Sequence, residues 1–296
     1  MRLVAAVTVA LSLGIPGCQG VGIVDENGNR NSGRIAFLGR AGAFWQVFVI
    51  RGDGTELRQI THSDVEKSRV SWFPDAESVL VNTQHGDLVR VDVETGIEIE
   101  LPFALRGMLD AVISPDGRTV GFSFTQSDSR DANELWTCAL DGSNLRQLTN
   151  RAGLQHFPSW GPDGATLYYL SDLGPRGSHD IWRFSIADDA DERLTFGDLR
   201  YLDVAVSSRG ELAYSGNQKG SFDIWLKSPG VGPTRLTDDP ALDAHPSFSA
   251  DGEQIVFESS RGGSLNLWRI SRTGGAVAPV TQLPAPGARM PAWAPR

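Results

Sequence analysis

Segments ending in Leu-Thr or a close variant recur along this chain, and no other feature narrows its folding options as much. They end near Thr61, Pro102, Thr149, Thr195, Thr237 and Thr281, at spacings of 41, 47, 46, 42 and 44 residues. Before each lies an alternating apolar stretch such as "QVFVIR", "ELWTCAL", "DIWRFSI" or "NLWRIS". Earlier in each unit come a second stretch ("RIAFLGR", "SVLVNTQ", "TLYYLSD", "QIVFESSR") and, in all but the first, a turn marker such as "WFPDA", "ISPDG", "WGPDG" or "FSADG". Alternation with period two marks half-buried strands, and Asp-Gly pairs mark the tight turns between them. No stretch after residue 33 competes with a helical period. Four antiparallel strands cannot bury both faces of their sheet alone, whereas units stacked around an axis can, so the period predicts an all-β β-propeller.

The first unit, beginning at "RIAFLGR", lacks the Trp-Ser-Pro type of strand that opens each later unit, and the last residues, "MPAWAPR" (290–296), read as that strand. Five whole units and one split between the termini predict six blades of four antiparallel strands, 34–296. The C-terminal strand would complete the first blade and close the ring, leaving no open edge there.

Composition removes several function classes. A 40% hydrophobic fraction with eight Trp supplies a core, and a 21% charged fraction argues against disorder. A net charge of −9, with no basic stripe, makes nucleic acid an unsuitable partner. Residues 1–17 combine Arg2, an apolar run from Leu3 to Ile15 and small residues before Cys18, the pattern of a secretory signal. The ending "IPGC" resembles a bacterial lipobox, which implies lipidation at Cys18, with 18–33 as a flexible Gly- and Asn-rich tether. Cys138 is then the one remaining cysteine, so no internal disulfide is expected, and its neighbours Thr137 and Ala139 offer nothing to activate a thiol.

The succession Pro-x-Trp/Phe-Ser-Pro-Asp-Gly, Asp-Ile-Trp and Leu-Thr resembles the propeller repeats of TolB-type proteins over 34–296. The fourth unit carries it in Pro158, Trp160, Pro162, Asp163, Gly164, Asp180, Ile181, Trp182, Leu194 and Thr195. The sixth carries it in Pro246, Phe248, Asp251, Gly252, Asn266, Leu267 and Trp268. The resemblance implies a monomeric, non-catalytic scaffold in the periplasm or at the cell surface, and Gln19 after Cys18, rather than the Asp that retains lipoproteins at the inner membrane, points to the outer membrane. It also implies envelope partners, the peptidoglycan-associated lipoprotein among them. TolB itself carries an α/β domain ahead of its propeller, where this sequence has only the tether, so a TolB-like lipoprotein is the expected type.

The repeated residues read as structural, and a site is expected where the repeats differ. The first strand of each blade lines the channel, and three positions before its Trp/Phe stand Arg69, Asp110, Phe157, Asp203, His245 and Met290. One position earlier stand Ser68, Leu109, His156, Leu202, Ala244 and Arg289. The first set is expected as a partner-binding ring near a channel mouth. The propeller fold is shared with lyases that act on oligogalacturonate and hold a metal through several His. Only His245 stands at this level, and Asp110 and Asp203 fall on blades separated by one, so no metal or other cofactor is expected. No G-x-S-x-G elbow, H-E-x-x-H or P-loop occurs, so no enzyme is expected. The competing reading is an enzyme or sensor that takes an acidic sugar or another small ligand in the channel.

Overall fold

The computed structural model describes residues 33–125, 132–151, 153–172, 179–196, 199–217 and 220–295. The expected signal peptide, the lipidation site Cys18 and most of the tether lie outside the described residues. Every regular element among the described residues is a strand, and the arrangement is that of an all-β propeller.

One four-stranded sheet joins the two ends of the chain. It contains β1 (Arg34–Ala41), β2 (Phe44–Arg51), β3 (Arg58–Gln59) and β24 (Ala288–Trp293), in the order β24-β1-β2-β3. The strand read from "MPAWAPR" is therefore part of β24, which pairs antiparallel with β1 from Ile35–Trp293 to Gly39–Ala288. The second sheet holds β4 (Lys67–Trp72), β5 (Ser78–Thr83), β6 (Leu88–Asp92) and β7 (Glu98–Glu100) in chain order. Two further four-stranded sheets follow the same order. One holds β16 (Arg200–Val206), β17 (Leu212–Asn217), β18 (Phe222–Lys227) and β19 (Thr234–Arg235). The other holds β20 (Asp243–Phe248), β21 (Gln254–Ser259), β22 (Asn266–Ser271) and β23 (Ala278–Pro279).

Between them the hydrogen bonding differs from the expected set of four-stranded units. The strands β8 (Leu109–Ile113), β9 (Thr119–Phe124), β10 (Ala132–Ala139) and β11 (Arg146–Gln147) share one eight-stranded sheet with β12 (Gly153–Trp160), β13 (Thr166–Ser171), β14 (Asp180–Ser185) and β15 (Ala190–Arg193). The join is a short parallel pairing of Ala132 with Gly153 and Asn133 with Leu154, which leaves β11 on β10 to one side. The physical reason is that β10 and β12, at eight residues each, run past most of their counterparts and meet at their starting ends.

Apolar side chains fill the spaces between sheets that follow one another in sequence. Leu80 and Leu88 pack with Val120 and Phe122, and, between the two halves of the eight-stranded sheet, Leu135 packs with Leu167 and Phe184. Leu170 and Ile181 pack with Tyr201 and Tyr214, and Ala213 and Ile224 with Ile255 and Phe257. Ile35 and Phe37 pack with Val256 and Leu267, which brings the first sheet against the last. Each fully buried Leu, Ile or Phe contributes about 1.5–3 kcal/mol, so these layers are the main stabilising term.

The repeated polar residues have specific uses. Thr61, Thr149, Thr195, Thr237 and Thr281 each accept, through Oγ1, the N–H of Val47, Leu135, Ile181, Ile224 and Leu267 on the third strand of their sheet, at 2.8–2.9 Å. The second unit has Pro102 at this position and lacks the bond's donor-acceptor pair. The fully buried Asp180 takes Arg193 Nη2 at 2.8 Å and Thr195 Oγ1 at 3.1 Å. It thus braces the outermost strand rather than the turn before it, where such an acid more commonly bonds.

Candidate functional site

A backbone irregularity places the inner side chains. In β24, β4, β8, β12, β16 and β20 the pairing with the next strand shifts register partway along. Four residues at these bulges have positive φ: Asp110 (55°), Phe157 (52°), His245 (52°) and Met290 (53°). A non-glycine residue there carries strain of order 1 kcal/mol, and bulges of this kind re-aim side chains.

Acceptors from the preceding repeat unit hold the bulges. Phe157 N–H donates to Asp110 Oδ2 at 3.3 Å, His245 N–H to Asp203 Oδ2 at 2.6 Å, and Met290 N–H to Glu258 Oε2 at 2.8 Å. Beside Asp110, Ala111 exchanges two bonds with the Asn82 side chain, at 2.8 and 3.1 Å. Asp203 is filled further by Ser215, whose N–H and Oγ reach Oδ1 at 3.1 and 2.9 Å. Two of the acids expected to face a partner therefore act first on the chain's own backbone.

Across the channel the side chains interlock. Arg69 Nη2 donates to Pro158 O at 3.2 Å, its guanidinium lies 5.2 Å from the Phe157 ring, and Nη1 stands 3.6 Å from Asp110 Oδ1. The Phe157 ring lies 5.8 Å from that of His245. A cavity of about 530 Å³ extends from this layer toward Pro74, Pro115, Pro162, Ser208, Ala250 and Pro295. Arg69, Phe157, Asp203, His245 and Met290 line its inner end, with Ser71, Ser159 and Ser247 on the wall above. Asp110 is not in the lining, because it sits behind Arg69 and Phe157. Five of the six residues expected at a channel mouth thus line the floor of one cavity, and Asp110 stands behind them.

Two histidines near this floor have opposite electrostatics. Burial pushes His156 down to about 4, and His179, whose ring is 4.8 Å away and edge-on, pushes in the same direction. For His245, burial lowers the value, but the Asp203 charge and its hydrogen bond to Nδ1 at 3.0 Å, followed by Glu258, outweigh it and leave the imidazole raised. Glu258 is itself raised by burial, which His245 and the Met290 N–H only partly offset.

Sequence reasoning missed Glu258 and the His156–His179 pair. Glu258 had a visible signal, a lone acid at the end of the otherwise apolar "IVF" run of β21. His179 had none, because what brings it to His156 is the pairing of strands within one sheet. No group of three or more His, Cys, Asp or Glu side chains among the described residues is placed to hold a metal.

The TolB beta propeller domain model matches residues 91–296. The chain belongs to that family. A TolB homolog from Chlorobium luteolum is 31% identical over 140 residues, covering 46% of this chain and 30% of the relative. A Tol-Pal system protein TolB from Anaeromyxobacter sp. is 28% identical over 116 residues, covering 39% and 26%. The matches thus span about a third or less of these curated relatives. Among solved structures, TolB from Acinetobacter baumannii superposes with a TM-score of 0.76 at 25% identity, covering 90% of this chain and 67% of that one. The oligogalacturonate lyase of Vibrio parahaemolyticus superposes with a TM-score of 0.56 at 17% identity, covering 83% and 75%, a likeness of the TolB propeller's fold alone.

Proposed function

We propose that this TolB-type propeller is a non-catalytic scaffold of the bacterial envelope that binds a protein partner by receiving a projecting loop or chain end in its cavity. The observation that carries the reading is the cavity itself. Its wall mixes small residues (Ser71, Ser159, Ser247) with aromatic ones (Trp72, Trp160, Trp293), which offers a projecting chain both hydroxyls and apolar surface, and its floor is braced by internal bonds. Arg69, Asp110, Phe157, Asp203, His245 and Met290 form that floor and its immediate support. Its acids are engaged with backbone N–H groups, which suits a shaped recognition surface better than a general acid or base. Similarity to Tol-Pal system proteins favours an envelope location and a partner of the peptidoglycan-associated lipoprotein type. Lipidation at Cys18 would tether the propeller there as a monomer.

The architecture that supports this reading has six blades. We take the eight-stranded sheet as two blades, β8–β11 and β12–β15, joined by their short parallel contact. The packing of Ile35 and Phe37 on Val256 and Leu267, and the Trp293 N–H bond to Ser247 Oγ at 2.9 Å, support closure of the ring through β24. Trp72 Nε1, donating to Ala292 O at 2.8 Å, continues the contact to the next blade.

A test leaves the floor intact and fills the wall. The whole chain and a Ser71→Phe/Ser159→Phe variant would each be used to capture partners from native envelopes. An envelope protein recovered by the first and lost by the folded variant supports a cavity-borne scaffold. Equal recovery moves the interface elsewhere, and recovery by neither removes the scaffold reading.

A further inference from the structure

The floor holds one side chain that touches three parts of the fold and can change charge near neutral pH. His245, on β20, receives support from β16, where Asp203 Oδ2 accepts both its backbone N–H and Nδ1–H. Its other ring nitrogen, Nε2, stands 3.9 Å from Glu258 Oε1 on β21. The second oxygen of Glu258 accepts the N–H of Met290, the positive-φ residue of the C-terminal strand β24. The chain of contacts therefore runs from β16 through His245 and Glu258 to β24.

We propose that His245 is a proton-operated brace: with Nε2 protonated, the imidazolium attracts Glu258 and so holds the Met290 bulge of the C-terminal strand, and loss of that proton loosens it. Nδ1 keeps its proton in both states, because Asp203 faces it as an acceptor. The switch is therefore at Nε2, where deprotonation leaves a nitrogen lone pair directed at a carboxylate in a buried site. Other groups bias the balance without replacing it. Arg69 on β4 opposes the imidazolium, and Arg289 on β24 faces Glu258. Phe157 on β12 adds an uncharged ring at 5.8 Å, and Asp110 on β8 is occupied by Arg69 and the Phe157 N–H.

The sign follows from the raised imidazole. Its stabilising contribution is complete below the unfolded value of about 6.5 and is lost as pH rises through the folded value. Physically, the proton on Nε2 tightens this end of the cavity while Glu258 stays ionised, alkali relaxes it, and acid strong enough to protonate the buried Glu258 carboxylate relaxes it again.

The test is an NMR titration of the histidine rings in the whole chain, with amide exchange at Met290 followed at pH 6 and pH 8.5. His245 should titrate above 6.5 with Nδ1 protonated throughout. Protection of the Met290 amide, corrected for intrinsic exchange, should fall by on the order of tenfold per unit of upward shift. Glu258→Gln, which keeps an acceptor for Met290, should lower the His245 titration and flatten the change in protection. The brace is overturned if His245 titrates at or below 6.5, or if Met290 protection is the same at both pH values. Should Glu258→Gln fail to fold, the wild-type titration and exchange decide alone.

Discussion

The outer and inner parts of each blade face the same problem, a backbone N–H that its strand partner does not fully satisfy, and they solve it differently. On the outer side five repeat units use one residue type: Thr61, Thr149, Thr195, Thr237 and Thr281 all accept from the third strand of their unit through the same atom. On the inner side the bulge is repeated but its acceptor is not: Asp110, Asp203 and Glu258 take the N–H, and Asn82 serves the residue beside it. The outer bond lies within a single sheet, so its local geometry fixes the residue. The inner bond reaches back to a strand of the preceding repeat unit, where any acceptor long enough to reach serves. Variation in the floor is thus compatible with a constant backbone, which is what a recognition surface on a repeat fold requires.

The largest break in this comparison should come at Asp203. Its oxygens hold Ser215 and His245, so Asp203→Ala should lower unfolding free energy by about 3 kcal/mol in urea titrations, because buried donors are left unpaired. Asp203→Asn, which keeps an acceptor, should lose about half as much. If the two variants are equal, charge rather than acceptance holds the bulge.

Next in size is an acid effect at His156. With its folded value near 4, the unfolded chain takes the proton first below about 6.5. Stability should then fall with decreasing pH down to about 4, by at most about 1.4 kcal/mol per pH unit, and His156→Leu should flatten that limb. His245 contributes with the opposite sign, so the two inner histidines separate in one pH series.

The outer side should yield smaller numbers. Thr195→Val removes the acceptor for Ile181 and the donor to Asp180 while keeping the shape, and should cost about 1–2 kcal/mol in thermal or urea unfolding. The same substitution at Thr61, where no acid accepts the hydroxyl, should cost less.

The smallest change is a gain. In the second unit Ala76, with φ 55°, stands where Gly117, Gly164, Gly210 and Gly252 stand in other units. Ala76→Gly should relieve left-handed strain and stabilise by about 0.5–1 kcal/mol, measured as a small rise in the urea midpoint.

What the sequence made legible follows the same division. The strands, the turns and the opening strand at 290–296 were readable because period-two alternation, Asp-Gly and Leu-Thr are local signals. The lateral join of β10 to β12 was not, because it depends on how far two strands extend, which no motif marks. The inner positions were found by counting from the Trp/Phe, but their roles were not. The sequence alone places Asp110 and Asp203 in a partner-facing ring at the channel mouth, since nothing local shows that the next unit's N–H groups will meet them. Glu258 escaped because it lies on the second strand, outside the positions that were counted.

The pairing of β24 with β1 also sets an order of events in time. Residues 288–293 leave the ribosome well after β1. Until they do, one edge of β1 lacks the strand it pairs with and Ile35 and Phe37 lack the Trp293 side of their cluster. Among the described strands, the sheet that β1 begins is therefore the last to be completed. A chain stalled or trimmed before Ala288 would carry an open, apolar edge of the kind that recruits other strands. The exposed side of β1 thus stays vulnerable for as long as it takes to make the intervening sheets.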